Sequence, residues 1–225
     1  MIFDFLRVKA VPQLFWSSPR VLTVRPPLIS VVFLVCGLVL FGLGEAFLVA
    51  AGLGVSPWTV LAQGVVLKTG LTLGWATFWI SASVLALWLP LRQVPVLGTV
   101  LNAVIIALVL GWVVPHLPRF PGLISQIAYV VVGVLTTGLG GAIYLIANLG
   151  PGPRDGLMTG LQRITGLPSA WVRSGLEISV VVAGVLLGGV FGLGTLLFAF
   201  GIGPAVALGL FLCTRAVGVI QTPSQ

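Results

Sequence analysis

Six stretches of the chain, at roughly 28–53, 72–90, 94–114, 122–148, 168–188 and 191–213, run almost without charge. Each has about the ~20 residues that a helix needs to cross a hydrocarbon layer. In lipid every backbone N–H and C=O must bond internally, so only helices and closed barrels can span, and barrels alternate apolar with polar residues rather than running continuously apolar. The expected fold is therefore all-α: a polytopic membrane bundle of six transmembrane helices. Composition agrees, with 58% hydrophobic and 7% charged residues and a mean hydropathy of +1.20, where soluble domains carry about a quarter charged residues. Eleven basic residues against four acidic ones give a net charge of +7. The basic residues stand singly between apolar runs, a pattern that fits membrane topology and excludes nucleic acid as a partner; the expected partner is the lipid bilayer.

Sliding the chain against itself uncovers an internal repeat. At an offset of 96 with no gaps, GLGEAFLVAAGLGVSPWTVLAQG (42–64) lies over GLGGAIYLIANLGPGPRDGLMTG (138–160), TGLTLGW over TGLPSAW, and LGTVLNA over LGTLLFA; 24 of the 69 positions from Gly42 to Leu110 are identical. Each copy holds three long runs and one short piece, 57–68 and 153–164. Twelve helical residues extend only ~18 Å, too little for ~30 Å of hydrocarbon. Three crossings per copy would set the second upside down relative to the first, an inverted repeat. Charge placement gives the orientation: with the N-terminus inside, Arg7, Lys9, Arg20, Arg25, Arg92, Arg154, Arg163, Arg173 and Arg215 fall on the cytoplasmic side and only Lys68 and Arg119 outside. The expected division is a cytoplasmic segment 1–27, repeat 1 over 28–118, repeat 2 over 119–215 and a short tail 216–225, in a bacterial cytoplasmic (inner) membrane with both termini in the cytoplasm. Segment 1–27 lacks the apolar core and small-residue cleavage site of a signal peptide. Its Phe3, Phe5, Leu6, Phe15 and Trp16, mixed with basic residues, suit a strand of chain on the headgroups or a disordered tail.

Both short pieces open alike, with Ser56-Pro57 and Gly152-Pro153 after Gly54 and Gly150. Ser or Gly at the cap and Pro at the first helical position make a helix start, and a preceding glycine can end the previous helix. Asp155 falls in the first turn, complementing the positive end of the dipole. Two readings are open: short interfacial helices whose Arg154 and Arg163 enforce topology, or re-entrant half-helices whose N-termini approach from opposite faces and offer free N–H groups to a solute.

LGPGPRDGLMTGL (149–161), LGVSPWTVLAQG (53–64), GLTLGW (70–75) and VLGTVLN (96–102) together resemble the YczE-type bacterial integral membrane proteins, grouped with YyaS and YitT, over roughly residues 30–212. The resemblance implies a small multi-span cytoplasmic-membrane protein with this duplicated element, and no substrate, reaction or cofactor. One departure stands out. Members often carry Asp after the Trp of the first motif, where this chain has Thr59; Asp155 keeps the acidic form in the second.

Few groups can carry chemistry. Glu45 lies well inside the first run, where an ionised carboxylate is costly unless paired, protonated or wetted; it is either a protonatable or cation-binding group facing the space between the copies, or a neutral hydrogen-bonded Glu near the outer interface. Arg173 and Glu177, four apart on one helix, are placed to pair, with a substrate-facing Arg173 as the other reading. Their counterparts Thr77 and Ser81 are polar too, which points to a polar stripe facing inward in each copy, with Asn102 and Asn148 adding to it. His116 reads as a loop residue, and with one His and two Cys inside apolar runs no metal site, cofactor or catalytic triad is expected. Trp58, Trp75, Trp79, Trp88, Trp112 and Trp171 fall near span ends, as interfacial anchors do. The leading expectation is a permease or channel-like carrier for a small molecule or ion, with Arg154, Asp155, Glu45, Arg173, Glu177, Ser56 and Asn148 at the site. A non-transporting scaffold or regulator is the alternative, a membrane enzyme is not expected, and a homo-oligomer is left open.

Overall fold

The computed structural model describes residues 11–217 except Val24 and Phe120; the expectations for Phe3, Phe5, Leu6, Arg7, Lys9 and the end of the tail lie outside the described residues. Among the described residues eight α-helices follow one another: α1 Leu28–Ala51, α2 Pro57–Thr69, α3 Leu73–Trp88, α4 Leu97–Val113 with a 3-10 turn Val114–His116, α5 Leu123–Ile146, α6 Pro153–Thr165, α7 Ser169–Leu186 and α8 Leu193–Val217. Five of them are long and apolar enough to cross a membrane. The expected second span is shorter than the sequence suggests: α3 has 16 residues, ~24 Å at 1.5 Å each, because the chain turns at Leu89-Pro90 where Pro cannot continue the helix. Together with α2, to which it is joined by a 114° bend, it is long and apolar enough to count as a sixth candidate.

The short helices start where the Pro residues place them. Pro57 and Pro153 are the first helical residues, each preceded by a glycine at positive φ, Gly54 at 104° and Gly150 at 114°, a conformation that an L side chain rarely adopts. Both end one residue beyond the expected bound, at Thr69 and Thr165, on left-handed Gly70 and Gly166. Ser56 occupies the N-cap position without capping: its hydroxyl donates to the Glu45 carboxylate instead of accepting from the first turn.

Close backbone approaches give the helix directions. A Cβ on Gly37 would fall 2.9 Å from the Gly140 carbonyl oxygen and one on Gly44 2.6 Å from that of Gly133. The numbers rise on α1 as they fall on α5, so these two helices run antiparallel. Along α5 and α8 the pairs Val134 with Gly201, Gly138 with Ala205 and Ala142 with Gly209 rise together, so these helices run parallel. α6 and α7 therefore return the chain to the side where α5 began.

Several of these contacts recur between residues shifted by 96. Gly37 meets Gly140 and Gly133 meets Gly44; Gly42 meets Val109 and Gly138 meets Ala205; Gly64 meets Leu187 and Gly160 meets Leu91. Gly98 N–H donates to Leu149 O at 2.9 Å, and Gly194 N–H donates to Leu53 O at 2.8 Å. α2 packs on α7 as α6 packs on α3. One relation is unequal: α3 lies against α4, with Gly74 touching Gly111, whereas α7 packs on α2 and α6 and does not lie along α8.

The N-terminal stretch does more than rest on a surface. Leu14 and Trp16 are buried, Trp16 stacks on Phe33 at 4.4 Å, Ser17 Oγ donates to Ile146 O and Ser18 N–H to Ala147 O. These bonds satisfy carbonyls at the C-terminal end of α5, which has no further turn to use them.

Candidate functional site

A cavity of about 330 Å³ lies where α7 and α8 stand apart, bounded inward by α1, α4 and α5 and by the starts of both short helices. The structure brings Arg154, Asp155, Arg173 and Glu177 together on its wall. The remaining wall is mostly aromatic and aliphatic, with Phe41, Ile106, Phe198 and Ile202 from the long helices.

Arg154 and Asp155 occupy the second and third positions of α6. Pro153 has no N–H, no side chain caps the helix, and the first-turn N–H groups have no intrahelical acceptor, so this end is electropositive. The Arg154 guanidinium lies 5.4 Å from the centre of the Trp58 ring, a cation–π distance. Trp58 is the second residue of α2 and stands 96 positions before Arg154, so the two short helices meet through matching residues. Asp155 Oδ2 accepts a hydrogen bond from Tyr144 Oη at 3.0 Å. On α7, Arg173 Nε donates to Glu177 Oε1 at 2.9 Å, with the Arg side chain about half exposed at 51%. Asn102 adds an amide next to Gly152.

The other three expected residues sit elsewhere. Glu45 is fully buried behind α2, where its Oε2 accepts from Ser56 Oγ at 2.6 Å and Thr59 Oγ1 at 2.7 Å; Oε1 has no hydrogen-bond partner among the described residues. Glu45 and Ser56 thus form a closed cluster that does not line the cavity. Asn148 is drawn off to the chain end, its amide donating to Ser18 O at 2.8 Å from a backbone φ of +53°. The Glu45 cluster answers the departure at Thr59. In the second half of the chain the short helix carries the acid, Asp155, and the long helix the hydroxyl, Tyr144; in the first half the short helix carries the hydroxyl, Thr59, and the long helix the acid. A carboxylate therefore stands at the start of each short helix, where the dipole favours it.

Thr77 and Ser81 line a small void with Thr59, Pro153 and Arg154, close to the cavity that Arg173 and Glu177 line. Polar residues of α3 and α7 at the offset of 96 thus line neighbouring spaces. Trp58 and Trp88 are not interfacial anchors: Trp88 is 1% exposed, covers Gly156 and donates from Nε1 to Pro153 O at 3.0 Å. Trp75, Trp79, Trp112 and Trp171 are exposed as anchors would be. Sequence reasoning missed Trp58 and Tyr144 as cavity residues. Trp58 was within reach, since it stands opposite Arg154 in the repeat, whereas nothing in the pattern singles out Tyr144.

A bundle of long apolar helices around a cavity with four ionisable groups defines a multi-span membrane protein. The chain belongs to a family of unknown function, DUF6198, whose model matches residues 28–210. It is 42% identical over 209 residues to an uncharacterized protein of Haemophilus influenzae, covering 93% of this chain and 95% of that one. It is 33% identical over 172 residues to the uncharacterized membrane protein YczE of Bacillus subtilis, covering 74% and 79%, and 28% identical over 165 residues to YyaS of the same species, covering 72% and 82%. The YczE-type resemblance read from the motifs holds. No solved structure matches the chain significantly.

Proposed function

We propose that the protein is a small-solute permease of the bacterial inner membrane, built from two inverted copies of one module, with both termini in the cytoplasm and the solute held in the cavity between α7 and α8. The observation that carries this reading is the meeting of Trp58 and Arg154. Two short helices that cannot span begin at matching residues on the wall of one cavity, which carries four charged side chains on an otherwise mostly apolar lining. Interrupted helices at corresponding places of two halves are the mark of a transport site between inverted repeats. Antiparallel α1 and α5, which are each other's counterparts, support the inversion.

Arg154 and the free N–H groups of α6 attract an anionic group, and Asp155, held by Tyr144, takes a cationic one. Arg173 and Glu177 complete the polar wall. Glu45, bonded to Ser56 and Thr59 outside the cavity, is the carboxylate that serves the start of α2. The unequal packing of the copies is one of two states: α3 closed on α4 toward the outside and α7 open from α8 toward the cytoplasm, the nine-to-two placement of basic residues supplying the sides.

Gly203 provides the test, because it lines the cavity and nothing lies within 4 Å of a Cβ built on it. Gly203→Trp should fill the space and leave thermal stability nearly unchanged. Proteoliposomes offered a bacterial metabolite extract should accumulate some solute with the wild-type protein, read by mass spectrometry, and at least tenfold less with the variant, an order-of-magnitude expectation for a blocked, pre-formed pocket. Equal profiles for wild type, variant and empty vesicles would leave a non-transporting scaffold as the better reading.

A further inference from the structure

Resting on the permease reading, we propose that the cavity is selective for a small zwitterion with an apolar body, the chemistry of an α-amino acid such as leucine. Two charges on the cavity wall are left over. Arg173 and Glu177 satisfy each other at 2.9 Å. Arg154 makes no ion pair among the described residues and is covered on one face by the Trp58 ring. Asp155 has a single hydrogen-bonded partner, the neutral Tyr144 hydroxyl. One cation and one anion, adjacent on the first turn of α6, are thus left facing the ligand.

A bound anion would pair with Arg154 while lying beside the Asp155 carboxylate, and a bound cation would face the converse. Each leaves one partly buried charge uncompensated, and like-charge neighbours are costly in such a site. A molecule with a carboxylate and an ammonium a few Å apart meets both. The uncapped N–H groups of α6 reinforce the carboxylate end, as they do for anions at helix starts in general. Opposite them, Phe41, Ile106, Phe198 and Ile202 give an apolar wall for the rest of the molecule, and about 330 Å³ is at the small end of ligand pockets. The same chemistry is offered by an ethanolamine phospholipid headgroup.

Binding to the full-length protein in detergent tests this, read by isothermal titration and thermal shift. The probes are L-leucine, its amide, which lacks the carboxylate, N-acetyl-leucine, which lacks the ammonium, and dihexanoylphosphatidylethanolamine. The expected result is binding of leucine at least about tenfold tighter than either blocked form, since a site with a paired charge rejects the analogue that leaves it unpaired. Asp155→Asn should narrow the preference for leucine over N-acetyl-leucine to within about threefold by admitting the acetylated form, a gain that misfolding cannot produce. Tighter binding of the phospholipid than of leucine keeps the zwitterion and assigns it to a lipid headgroup. Equal binding of the blocked forms, or no binding of leucine and the phospholipid alike, overturns the inference. If uptake from the metabolite extract still falls in Gly203→Trp when these probes fail, the permease reading stands without the zwitterion; if both fail, both go.

Discussion

Where α3 meets α6, the Trp88 indole covers Gly156; where α7 meets α2, at the residues that correspond, the glycine is on the long helix as Gly184 and the larger residue on the short one as Val60. The same exchange governs charge: Asp155 with Tyr144 in one half, Thr59 with Glu45 in the other. What the two halves share is backbone contact, and what they have traded is which partner carries the larger or the ionisable side chain. In a packed interior both partners together fill the space between two helices, so either helix can carry the larger side chain. It also means that a site cannot be carried from one half to the other residue by residue. The halves differ again at α3 and α4, which touch through Gly74 and Gly111, while the corresponding positions on α7 and α8 are Ala170 and Ala207 and those helices stand apart around the cavity.

The exchange at Trp88 and Gly156 gives the largest expected effect. Trp88→Ala removes a fully buried indole and its bond to Pro153 O, a loss of about 3–5 kcal/mol for a core tryptophan. Trp88→Gly with Gly156→Val rebuilds the arrangement of the other half, and should recover about 1–2 kcal/mol relative to the sum of the single variants, a coupling of the size seen for residues in contact. Chemical denaturation in detergent micelles reads both. Strict additivity would show that the two interfaces resemble each other by coincidence.

The acid exchange is next. Glu45→Ala leaves the Ser56 hydroxyl with only Thr59 Oγ1, at 3.0 Å, to donate to and the buried Thr59 hydroxyl without its acceptor, at a cost of about 2 kcal/mol. Adding Thr59→Asp returns a carboxylate to the first turn of α2 from the short helix, as Asp155 does in α6, and should restore about 1 kcal/mol. Thr59→Asp alone sets two carboxylates against each other in a buried cluster and should lower the melting temperature instead. A rise for that single variant would mean that Glu45 is not the acid serving α2.

How much of this was legible beforehand divides along the same line. The helix starts at Pro57 and Pro153 were readable to the residue, because proline fixes φ and a positive-φ glycine precedes each. The long helices followed from apolar length alone, except that α3 stops at Trp88, where a buried tryptophan looks in sequence like an interfacial one. The gathering of Arg154, Asp155, Arg173 and Glu177 on one cavity was readable from their rarity in an apolar chain. The bonding of Glu45 to Ser56 and Thr59 was not, because it depends on the angle at which α2 leaves α1, and residue spacing does not encode that angle. Nor was the displacement of Asn148, which answers to Ser18, 130 residues away in sequence.

The smallest effect on stability belongs to the polar stripe, and it separates the two halves by function. Arg173→Thr with Glu177→Ser gives α7 the residues that α3 has at Thr77 and Ser81. The pair that is lost is an i,i+4 bridge with a half-exposed Arg, worth no more than about 0.5 kcal/mol, so unfolding should hardly move. Uptake should nevertheless fall, because the substitution strips two of the four ionisable groups from the cavity wall. The reverse substitution, Thr77→Arg, puts a guanidinium where the threonine is 8% exposed and should reduce folded protein in the membrane, since a buried charge without a partner is strongly destabilising. That asymmetry follows directly from one half being closed and the other open. Equal tolerance of both substitutions would show that α3 opens as readily as α7, and the closed packing of Gly74 on Gly111 would then not distinguish the halves.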